Sequence, residues 1–519
     1  MRKRSEPKKH NIGIDFGTTY SSICIWENGR AEILTNNNGN FSTPSYVSIQ
    51  ESDLMVVGQP AKDQAALYPK STIYDSKRMI GRTYNDPCIQ DDIKHWPFTV
   101  ICGQDGMPMI EVQLENEPKK LYSAIQISSF ILNHMKSIAD DYLTLDPNDT
   151  IDAVITVPAY YNTTQREAIM EAGKLAKINV LRTIDEPTAA AIAYGLKDPI
   201  HISKKVLIFD FGGGTLDLSL LKIMENNFEV LATSGDTHLG GQDFDNNLVE
   251  YFAELFDQEF KCNIHEDKRA LHLLRIACEK AKIILSQTTN ATISIASLHK
   301  GIDYMKPITR AQFDEINREI FERMLLPIDD ILNQLHIQKK DIDEIILIGG
   351  TSRIPQVRKT LSDFFNGKIL TKNIDPEKAV VQGAAIDAAN DQEFPIINIT
   401  SVVPRSIGLE INQGDMDVII ERGTKIPFTA RPTYYAPIDS SKQTVEIKVF
   451  AGENKKTNKN DLLGKFRLTG LKRPNNNSDP KIEVVLAIDK NGLLKITGKD
   501  VTGGASGGVS IKVEKILCK

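Results

Sequence analysis

The sequence predicts an α/β protein with two similar lobes, followed by an antiparallel β module. Strand-like and helix-like segments alternate from residue 11 to about residue 390, which is typical of α/β architecture. A strand–glycine turn–strand pattern occurs twice in that region, and after about residue 393 apolar and polar residues alternate as they do in strands. A chain of 519 residues has room for several domains of roughly 150 residues each.

The repeated pattern predicts the two lobes. NIGIDFGTTYSSICIW begins at Asn11, and KKVLIFDFGGGTLDLSLLKI at 204–223 follows the same plan. Asp15 and Asp210 occupy matching positions, each followed by Phe-Gly. A third version, DEIILIGGTSRIP at 343–355, has a buried-type strand that runs into two glycines. We therefore expect an internally duplicated domain.

Helices are predicted between these units. Thr164 and Glu167 have the spacing of a capping box. In 266–287 one apolar face is accompanied by a different, polar face that contains Glu279, Lys282 and Ser286. On spacing alone, we expect that polar face simply to be exposed to solvent.

The last quarter of the chain has a different character. EFPIINITSVVP has two prolines and predicts a linker, and TVEIKVFAGE, KIEVVLAIDKNGLLKITG and GGVSIKVEKIL predict strands of an antiparallel module. We expect a basic tail at 1–10, a first domain at 11–392, a linker at 393–400 and the β module at 401–519.

Composition excludes several classes of protein. The net charge of −6 argues against a DNA-binding protein, and no apolar run reaches the roughly 18 residues of a membrane span. Six scattered cysteines, without a C-x-x-C pair, predict reduced thiols in the cytoplasm and no structural metal. The basic start MRKRSEPKKHN has no apolar segment after it, so it is not a secretory signal. It is either a solvated tail, which composition favours, or a contact with the nucleus or with ribosomal RNA.

The two glycine turns predict a phosphate site. Bare N–H groups at the end of a strand bind anions, and glycine lets phosphate oxygens approach the backbone. Neither a P-loop nor a G-x-G-x-x-G motif is present around 212–215. We expect two Gly/Thr turns to bind phosphates from two sides, while Asp15 and Asp210 hold a hydrated Mg²⁺.

Two further charged residues suit such a site. Glu186 precedes a proline at a predicted helix start, and Lys77, in YDSKRMIGR, has the charge to neutralise a transferring phosphoryl group. Spacing alone leaves other interpretations open, namely a partner of the helix dipole for Glu186 and a surface lysine for Lys77.

The motifs closely resemble those of the seventy-kilodalton heat-shock protein (heat-shock cognate) chaperone family. The resemblance covers roughly residues 11–515 and is most specific in the first three quarters. It rests on IGIDFGTTYSS, DSKRMIGR, KHWPF, TVPAYYNTTQREA, LRTIDEPTAAAIAYGL, LIFDFGGGTLDLS, SGDTHLGGQDFDN, IACEKAKIILS and FFNGK. It implies a two-lobed, actin-like ATPase domain followed by a β-sandwich that grips extended apolar peptides.

The resemblance also implies roles for individual residues. Lys77 is similar to the catalytic lysine of the family, and Glu186 and Asp217 to carboxylates that position Mg²⁺ and the attacking water. The expected phosphate loops are the first turn, Gly17, Thr18, Thr19 and Tyr20, and the second turn, Gly212, Gly213, Gly214 and Thr215. The expected adenosine contacts are Glu279, Lys282, Ile283 and Ser286 on one side of the base and Gly349, Gly350, Thr351, Ser352 and Arg353 on the other. Pro158 and Arg166 resemble the switch that reports the nucleotide state to the peptide-binding domain.

Three positions in the first domain and the linker bear on partners and affinity. Ile283 stands where the family usually has an arginine that stacks on adenine, so we expect weaker ATP binding. The linker Ile396-Ile397-Asn398-Ile399-Thr400 lacks the acidic residue and half of the apolar run, which predicts weaker docking and weaker stimulation by J-domain partners. Arg182 matches a J-domain contact of the family.

The β module departs further from the family pattern. The resemblance aligns Leu409, Tyr434, Val445 and Ile447 with the apolar peptide groove. Asn412 and Pro437 fall where the family often has an apolar arch, so the arch should close less well. No segment resembles the helical lid or the acidic tail, and we expect fast peptide release.

Three functions compete at this point. The first is a slow ATP-hydrolysing chaperone that binds unfolded or nascent polypeptides, with a J-domain co-chaperone and a nucleotide-exchange factor as implied partners. The second is a regulatory ATP-binding partner of another chaperone, similar to the short ribosome-associated members, which needs no turnover. The third, a sugar kinase on the actin-like fold, conflicts with the long chaperone-like stretches.

Overall fold

The computed structural model describes residues 9–115, 117–144, 150–197, 201–371, 374–390, 397–412, 414–435, 444–469, 481–501, 509–511 and 514–516. The chain divides into two compact units. The first comprises residues 1–103, 107–160 and 168–399, and the second comprises residues 104–106, 161–167 and 400–519. The basic tail before residue 9, the first half of the predicted linker (393–396) and Pro437 lie outside the described residues.

The first nineteen strands lie in, or begin in, the first unit. They are β1 (Lys9–Phe16), β2 (Tyr20–Glu27), β3 (Arg30–Ile33), β4 (Thr43–Pro44), β5 (Val47–Gln50), β6 (Leu54–Val57), β7 (Thr72–Ile73), β8 (Thr99–Cys102), β9 (Pro108–Val112), β10 (Lys120–Ser123), β11 (Thr150–Val157), β12 (Asn179–Asp185), β13 (Lys204–Phe211), β14 (Leu216–Met224), β15 (Asn227–Asp236), β16 (Asn290–His299), β17 (Ile302–Thr309), β18 (Glu344–Ile348) and β19 (Asn398–Val402).

Helices connect these strands. Among the described residues they are α1 (Gln59–Gln64), α2 (Ser76–Met79), α3 (Pro87–Asp92), α4 (Ala124–Leu143), α5 (Thr163–Leu175), α6 (Glu186–Lys197), α7 (Gly241–Phe260), α8 (Lys268–Gln287), α9 (Arg310–Ile316), α10 (Arg318–Arg323), α11 (Leu326–Leu335), α12 (Pro355–Phe364) and α13 (Ala379–Ala389). Short 3₁₀ turns lie at Glu51–Asp53, Ile264–Glu266, Lys339–Asp341, Gly350–Arg353 and Thr457–Lys459.

Two sheets of the first unit repeat one plan, as the duplicated sequence predicts. β1 pairs antiparallel with β2 and parallel with β11, and β13 pairs antiparallel with β14 and parallel with β18. The strand orders are β12-β11-β1-β2-β3 in one sheet and β18-β13-β14-β15 in the other. Each glycine turn therefore closes the central hairpin of its own sheet.

The core of the second sheet explains why the predicted helix α8 forms there. Its apolar face, which includes Leu274, Cys278, Ala281 and Leu285, is buried in one large cluster with strands β13 and β14. Asp267 accepts a hydrogen bond from the Ala270 amide at 3.0 Å and so caps the first turn. The polar face of α8 is left to line the site.

Helix α5 begins earlier than its predicted cap. Asn162 Oδ1 accepts from the Gln165 amide at 3.0 Å, and Gln165 Oε1 accepts from the Asn162 amide at 3.2 Å. The reciprocal pair therefore uses Asn162 and Gln165, whereas the sequence predicted Thr164 and Glu167. Asparagine is at least as good an N-cap as threonine, so the helix starts where the first good cap occurs.

The linker residues Ile397 and Asn398 lie on the first unit despite their changed sequence. Ile397 is 2% exposed, and Asn390 Nδ2 donates to its carbonyl while Asn390 Oδ1 accepts from its amide, both at 3.0 Å. The Asn398 amide then donates to the Asn226 carbonyl at 2.8 Å. A side-chain amide thus supplies both hydrogen bonds that a neighbouring strand would offer.

The second unit is an antiparallel β-sandwich, as the alternating sequence predicts. Its remaining strands are β20 (Ile407–Ile411), β21 (Asp415–Ile420), β22 (Lys425–Ile426), β23 (Phe428–Thr429), β24 (Thr433–Tyr435), β25 (Thr444–Ala451), β26 (Asp461–Thr469), β27 (Ile482–Ile488), β28 (Leu494–Asp500), β29 (Val509–Ile511) and β30 (Glu514–Ile516). One sheet has the order β21-β20-β25-β26-β30, and the other has the order β23-β27-β28-β29 with β24 beside β27. Apolar residues of both sheets form one core.

Candidate active site

The two glycine turns face each other. A Cβ atom on Gly213 would lie 1.9 Å from Thr19 Oγ1, and one on Gly214 would lie 2.7 Å from Thr18 Cγ2. Both positions therefore require glycine for this close approach. Thr19 Oγ1 is itself buried and has no hydrogen-bond partner among the described residues. The sequence predicted a pair of turns around one site, and the geometry places them together.

The second turn rests on the start of helix α7. The Gly241 and Gln242 amides donate to the carbonyls of Gly212 and Gly213 at 3.0 and 2.8 Å. Thr351 Oγ1 also donates to the Gly212 carbonyl, at 2.8 Å. These bonds occupy the turn's carbonyls, so its remaining N–H groups are the ones available to an anion.

Five ionisable side chains meet next to the turns. Lys77 on α2 and Glu186 at the start of α6 form a buried ion pair with an Nζ–Oε1 distance of 2.5 Å. Asp210 and Asp217 are buried on the two strands of the second hairpin, where they are cross-strand neighbours. Asp15 accepts from the Thr156 hydroxyl at 2.9 Å. Four carboxyl groups thus share one lysine.

This crowding raises the pKa of all three aspartates. Burial is the largest cause, and the Glu186 charge is the next. The pKa of Asp15 rises to about 6 and that of Asp217 to about 7. The pKa of Asp210 rises well above its usual value, because Asp217 and Asp15 add to the repulsion.

The same excess of negative charge suits a hydrated divalent cation. In the part of the chain that the structure describes, no three His, Cys, Asp or Glu side chains converge closely enough to enclose a metal ion unaided. Mg²⁺ usually keeps several waters and needs only one or two carboxylates. Asp15 and Asp210 fit that requirement, since burial and mutual repulsion disfavour their charged forms and a cation would relieve both effects.

Glu279 on α8 links the first turn to the opposite lobe. Its carboxylate accepts from the Tyr20 hydroxyl at 3.2 Å and from Lys62 Nζ at 2.7 Å. Lys62 also donates to the Tyr20 hydroxyl at 2.9 Å. Lys62 was not predicted from the sequence, because this ion pair joins residues far apart in the chain and leaves no local pattern.

The other predicted adenosine contacts on α8 have separate environments. Lys282 Nζ pairs with Asp245 at 2.6 Å and donates to the Gly241 carbonyl at 2.7 Å. Ser286 donates to the Lys282 carbonyl at 3.0 Å. Ile283 is 53% exposed, so it presents an open apolar side chain.

The third glycine turn adjoins the second one. Gly349 has φ of +77°, and a Cβ there would lie 2.3 Å from the Phe211 carbonyl oxygen. Gly350–Arg353 form a 3₁₀ turn in which Ser352 donates to the Gly349 carbonyl at 2.7 Å. Arg353 pairs with Glu377 at 3.0 Å and lies at the surface. Gly349 and Thr351 are therefore next to the second phosphate turn. Arg353 instead pairs with the acidic side chains Asp375 and Glu377.

The predicted switch residues are both buried, and Arg182 is partly buried. Pro158 is buried directly after β11, and the Arg166 Nε donates to the Tyr161 carbonyl at 3.1 Å. Arg182 forms a bidentate ion pair with Asp387, with Nε–Oδ2 and Nη2–Oδ1 distances of 2.9 and 3.0 Å.

The predicted groove residues divide between the two sheets of the β-sandwich. Leu409 is 3% exposed in the core, and Val445 and Ile447 pack against the same cluster. Tyr434 lies on β24 of the other sheet, is 49% exposed, and has Lys481 Nζ 4.4 Å from its ring centre. The structure therefore brings together three of the four residues and places Tyr434 apart from them. Asn412, the predicted arch residue, has φ of +46°.

Comparisons with known proteins show the family of the chain. Residues 11–519 match the family described as Hsp70 protein. The chain belongs to the Hsp70 family. It is 46% identical over 514 residues to heat shock cognate 70 kDa protein 3 of Dictyostelium discoideum, a match that covers 98% of this chain and 79% of the relative. Heat shock 70 kDa protein of Neurospora crassa is 43% identical over 510 residues, with 97% of this chain and 78% of the relative covered.

Family membership confirms the predicted fold class and activity. Hsp70 proteins are ATP-hydrolysing chaperones, so this Hsp70 chain has an ATPase domain of two lobes followed by a β-sandwich, and it acts as an ATP-dependent chaperone. The regulatory alternative is not favoured. None of the helices formed by the described residues is long and apolar enough to cross a membrane.

Proposed function

We propose that this Hsp70 chain hydrolyses ATP slowly between its two glycine turns and couples hydrolysis to the binding of extended apolar segments of unfolded or nascent polypeptides. One observation carries the proposal. The two glycine turns approach so closely that Gly213 and Gly214 leave no room for a side chain, and they lie beside a buried group of carboxyls with Lys77 among them. Phosphate chains need backbone donors and cationic charge together, and this arrangement supplies both.

Lys77 is the residue best suited to the chemical step. Its ammonium group is held by Glu186 and lies 5.7 Å from the ring centre of Phe16, so its position is fixed before ATP binds. A fixed positive charge stabilises the negative charge that develops on a transferring phosphoryl group.

Asp217 is suited to orient the attacking water. Both its carboxylate oxygens are buried without a well-formed hydrogen bond among the described residues, and its pKa is raised to about 7 by burial and the Glu186 charge. A carboxyl with a pKa near the working pH can hold a water and accept its proton. Thr215, at the end of the second turn, completes the proposed catalytic set.

Asp15 and Asp210 would hold Mg²⁺ through its bound waters. The ion would supply Lewis-acid charge to the phosphate oxygens. Its binding would also favour the ionised form of both aspartates, which burial disfavours in its absence.

ATP turnover of the wild type and Lys77→Ala tests this proposal. We expect slow single-turnover hydrolysis in the wild type, no turnover above the uncatalysed rate in Lys77→Ala, and wild-type rates in the surface control Lys94→Ala. Lys94 is 69% exposed and pairs with its neighbour Asp91. A wild type that binds ATP but hydrolyses no more than Lys77→Ala would support the regulatory function instead.

The β-sandwich is the proposed polypeptide site. We expect a labelled apolar peptide to bind the chain weakly and to dissociate faster with ATP present. Val445→Asp should abolish binding because it places a charge beside the sandwich core, while the surface variant Glu446→Gln should bind as the wild type does. Equal binding by the two variants would locate the site elsewhere.

Other partners follow from the same proposal. A J-domain co-chaperone and a nucleotide-exchange factor are proposed regulators, and the cytoplasm is the proposed location, supported by the scattered cysteines. A ribosome contact is proposed for the basic tail, and co-sedimentation with ribosomes after deletion of residues 1–10 tests it.

A further inference from the structure

We propose that Arg78 is a positioning residue for hydrolysis, which fixes the second phosphate turn relative to Lys77. The inference rests on the proposed function, in which Lys77 and Gly212–Thr215 contact the phosphates. Arg78 does not need to touch ATP for this role, since it acts through the turn that holds the phosphates.

Lys77 and Arg78 are consecutive on the short helix α2, and both side chains are buried. Their side chains serve different sides of the site. Lys77 pairs with Glu186, while Arg78 Nη2 donates to the Gly214 carbonyl and to Asp243 Oδ2, both at 3.2 Å. One helix turn therefore determines the positions of both the catalytic ammonium group and the phosphate turn.

Asp243 connects Arg78 to the backbone beneath the turn. Its Oδ2 accepts from the Gly240 amide at 2.6 Å. A Cβ on Gly240 would lie 2.5 Å from backbone atoms of Gly213 and Gly214, so Gly240 packs directly against the turn. Arg78 thus holds the turn directly, through Gly214, and indirectly, through Asp243 and Gly240.

A second carboxylate fixes the orientation of the guanidinium group. Arg78 Nη1 donates to Asp92 Oδ1 at 3.0 Å, and the other oxygen of Asp92 lies 2.8 Å from His238 Nε2. His238 precedes the Gly240 segment, and Asp92 lies on α3. Three acceptors in different directions require the planar fork of arginine, which the single ammonium group of lysine cannot reproduce.

Arg82 offers a matched control. It lies four residues later, beyond the end of α2, and bridges the same two regions of the first unit, through Asp86 at 2.7 Å and Thr237 Oγ1 at 2.9 Å. Neither of these partners belongs to Gly212–Thr215. A change at Arg82 removes a partly buried, paired charge while the phosphate turn keeps its own contacts.

The experiment compares Arg78→Gln, Arg78→Lys, Asp243→Asn and Arg82→Gln with the wild type and Lys77→Ala. Single-turnover hydrolysis of Mg-ATP measures the chemical step, and equilibrium titration with ATP measures affinity. We expect both Arg78 variants to lose roughly ten- to a hundredfold in the hydrolysis rate with a change in affinity of about threefold or less, because misplacement of reacting groups chiefly slows the reaction step. Arg82→Gln should keep a rate within about twofold of the wild type, a change of no more than ~0.4 kcal/mol in the barrier.

A double-mutant cycle tests the route through Asp243. Arg78→Gln and Asp243→Asn should be non-additive, since each removes the ion pair between Arg78 and Asp243. Asp243→Asn keeps an acceptor oxygen for the Gly240 amide, so it provides a folded variant even where Arg78→Gln unfolds.

The outcomes are distinguishable. A wild type that hydrolyses ATP, an inactive Lys77→Ala and Arg78 variants with wild-type rates would overturn the positioning role alone. Equal losses of rate in the Arg78 and Arg82 variants, in proportion to lowered melting temperature, would assign Arg78 a purely structural role and also overturn it. A wild type without turnover would overturn the proposed function and the inference together.

Discussion

Gly213 and Thr19 belong to different lobes of the duplicated domain, yet a single methyl group added to Gly213 would overlap the Thr19 hydroxyl, at 1.9 Å. The two residues are far apart in the sequence, and each lies in the turn of its own central hairpin. The contact therefore measures how closely the lobes approach at the phosphate site.

Gly213→Ala should accordingly destabilise the protein. Overpacking of this kind costs about 1–3 kcal/mol in the free energy of unfolding, because Thr19 or the turn must move. Gly212→Ala is the matched control, since its Cβ would meet only the Thr215 carbonyl oxygen at an ordinary 3.7 Å. Urea unfolding without nucleotide measures both, and equal stability of the two variants would contradict the close contact.

The raised aspartate pKa values predict a stability that depends on pH. Asp15 and Asp217 have pKa values of about 6 and 7, against 3.8 as the ordinary value, so the folded protein binds more protons than the unfolded chain between these limits. The stability that these groups contribute is complete below about pH 4 and is lost as the pH rises through about 6 to 7. A difference of one in pKa between the folded and unfolded states corresponds to roughly 1.4 kcal/mol.

Asp217→Asn should therefore flatten this dependence. Urea unfolding of the nucleotide-free protein at pH 5.5 and pH 8 should show a smaller difference in the variant than in the wild type. Asp91→Asn, at an exposed site, should retain the wild-type difference. A wild-type protein that is more stable at pH 8 than at pH 5.5 would contradict the raised pKa of Asp217.

Ile283→Arg should strengthen ATP binding. An arginine at this exposed position of α8 restores the cation and planar surface that isoleucine lacks, and such stacking contributes about 0.5–1 kcal/mol, or roughly two- to fivefold in affinity. Ile284→Arg is the control, because Ile284 is 44% exposed but points to a different side of the helix. A similar gain from both arginines would indicate general electrostatic attraction of the nucleotide and would contradict adenine stacking.

Asn390→Ala should release the linker residue Ile397. Loss of two hydrogen bonds, each contributing about 1 kcal/mol, should speed hydrogen exchange at the Ile397 amide by about fivefold or more. Gln382→Ala, two turns earlier on α13, should leave that exchange rate unchanged. Protection of the Ile397 amide that persists in Asn390→Ala would show that burial alone holds the linker.

The duplicated lobes and the phosphate turns could be predicted because their signals are local. Asp15 and Asp210 each lie in a strand followed by a glycine turn, and both the strand and the turn are formed by consecutive residues. The same holds for the β-sandwich, whose strands alternate with period two. The start of α5 was misplaced, because two neighbouring residues could both serve as caps.

The contacts that hold the site together could not be predicted in this way. The partners Lys62 and Glu279, or Arg78 and Gly214, are separated by long stretches of chain, and a single polar side chain has no period that indicates its partner. The linker is expected to dock weakly because it lacks the acidic residue and half of the apolar run, and that expectation stays a prediction. The hydrogen bonds that Ile397 and Asn398 receive from the side chain of Asn390 and from the main chain at Asn226 could not be predicted, because no linker pattern indicates these partners.

The two lobes repeat the same strand pairing, but the side chains next to their matching aspartates differ. Beside Asp15 the neighbouring parallel strand provides Thr156, whose hydroxyl donates to the carboxylate, whereas beside Asp210 the corresponding strand provides Ile348, which has no polar side-chain group. Burial and the Glu186 charge raise the pKa of both aspartates, and Asp217 and Asp15 add further repulsion at Asp210. A site built from two matching motifs therefore presents two different carboxyl environments to whatever binds between them.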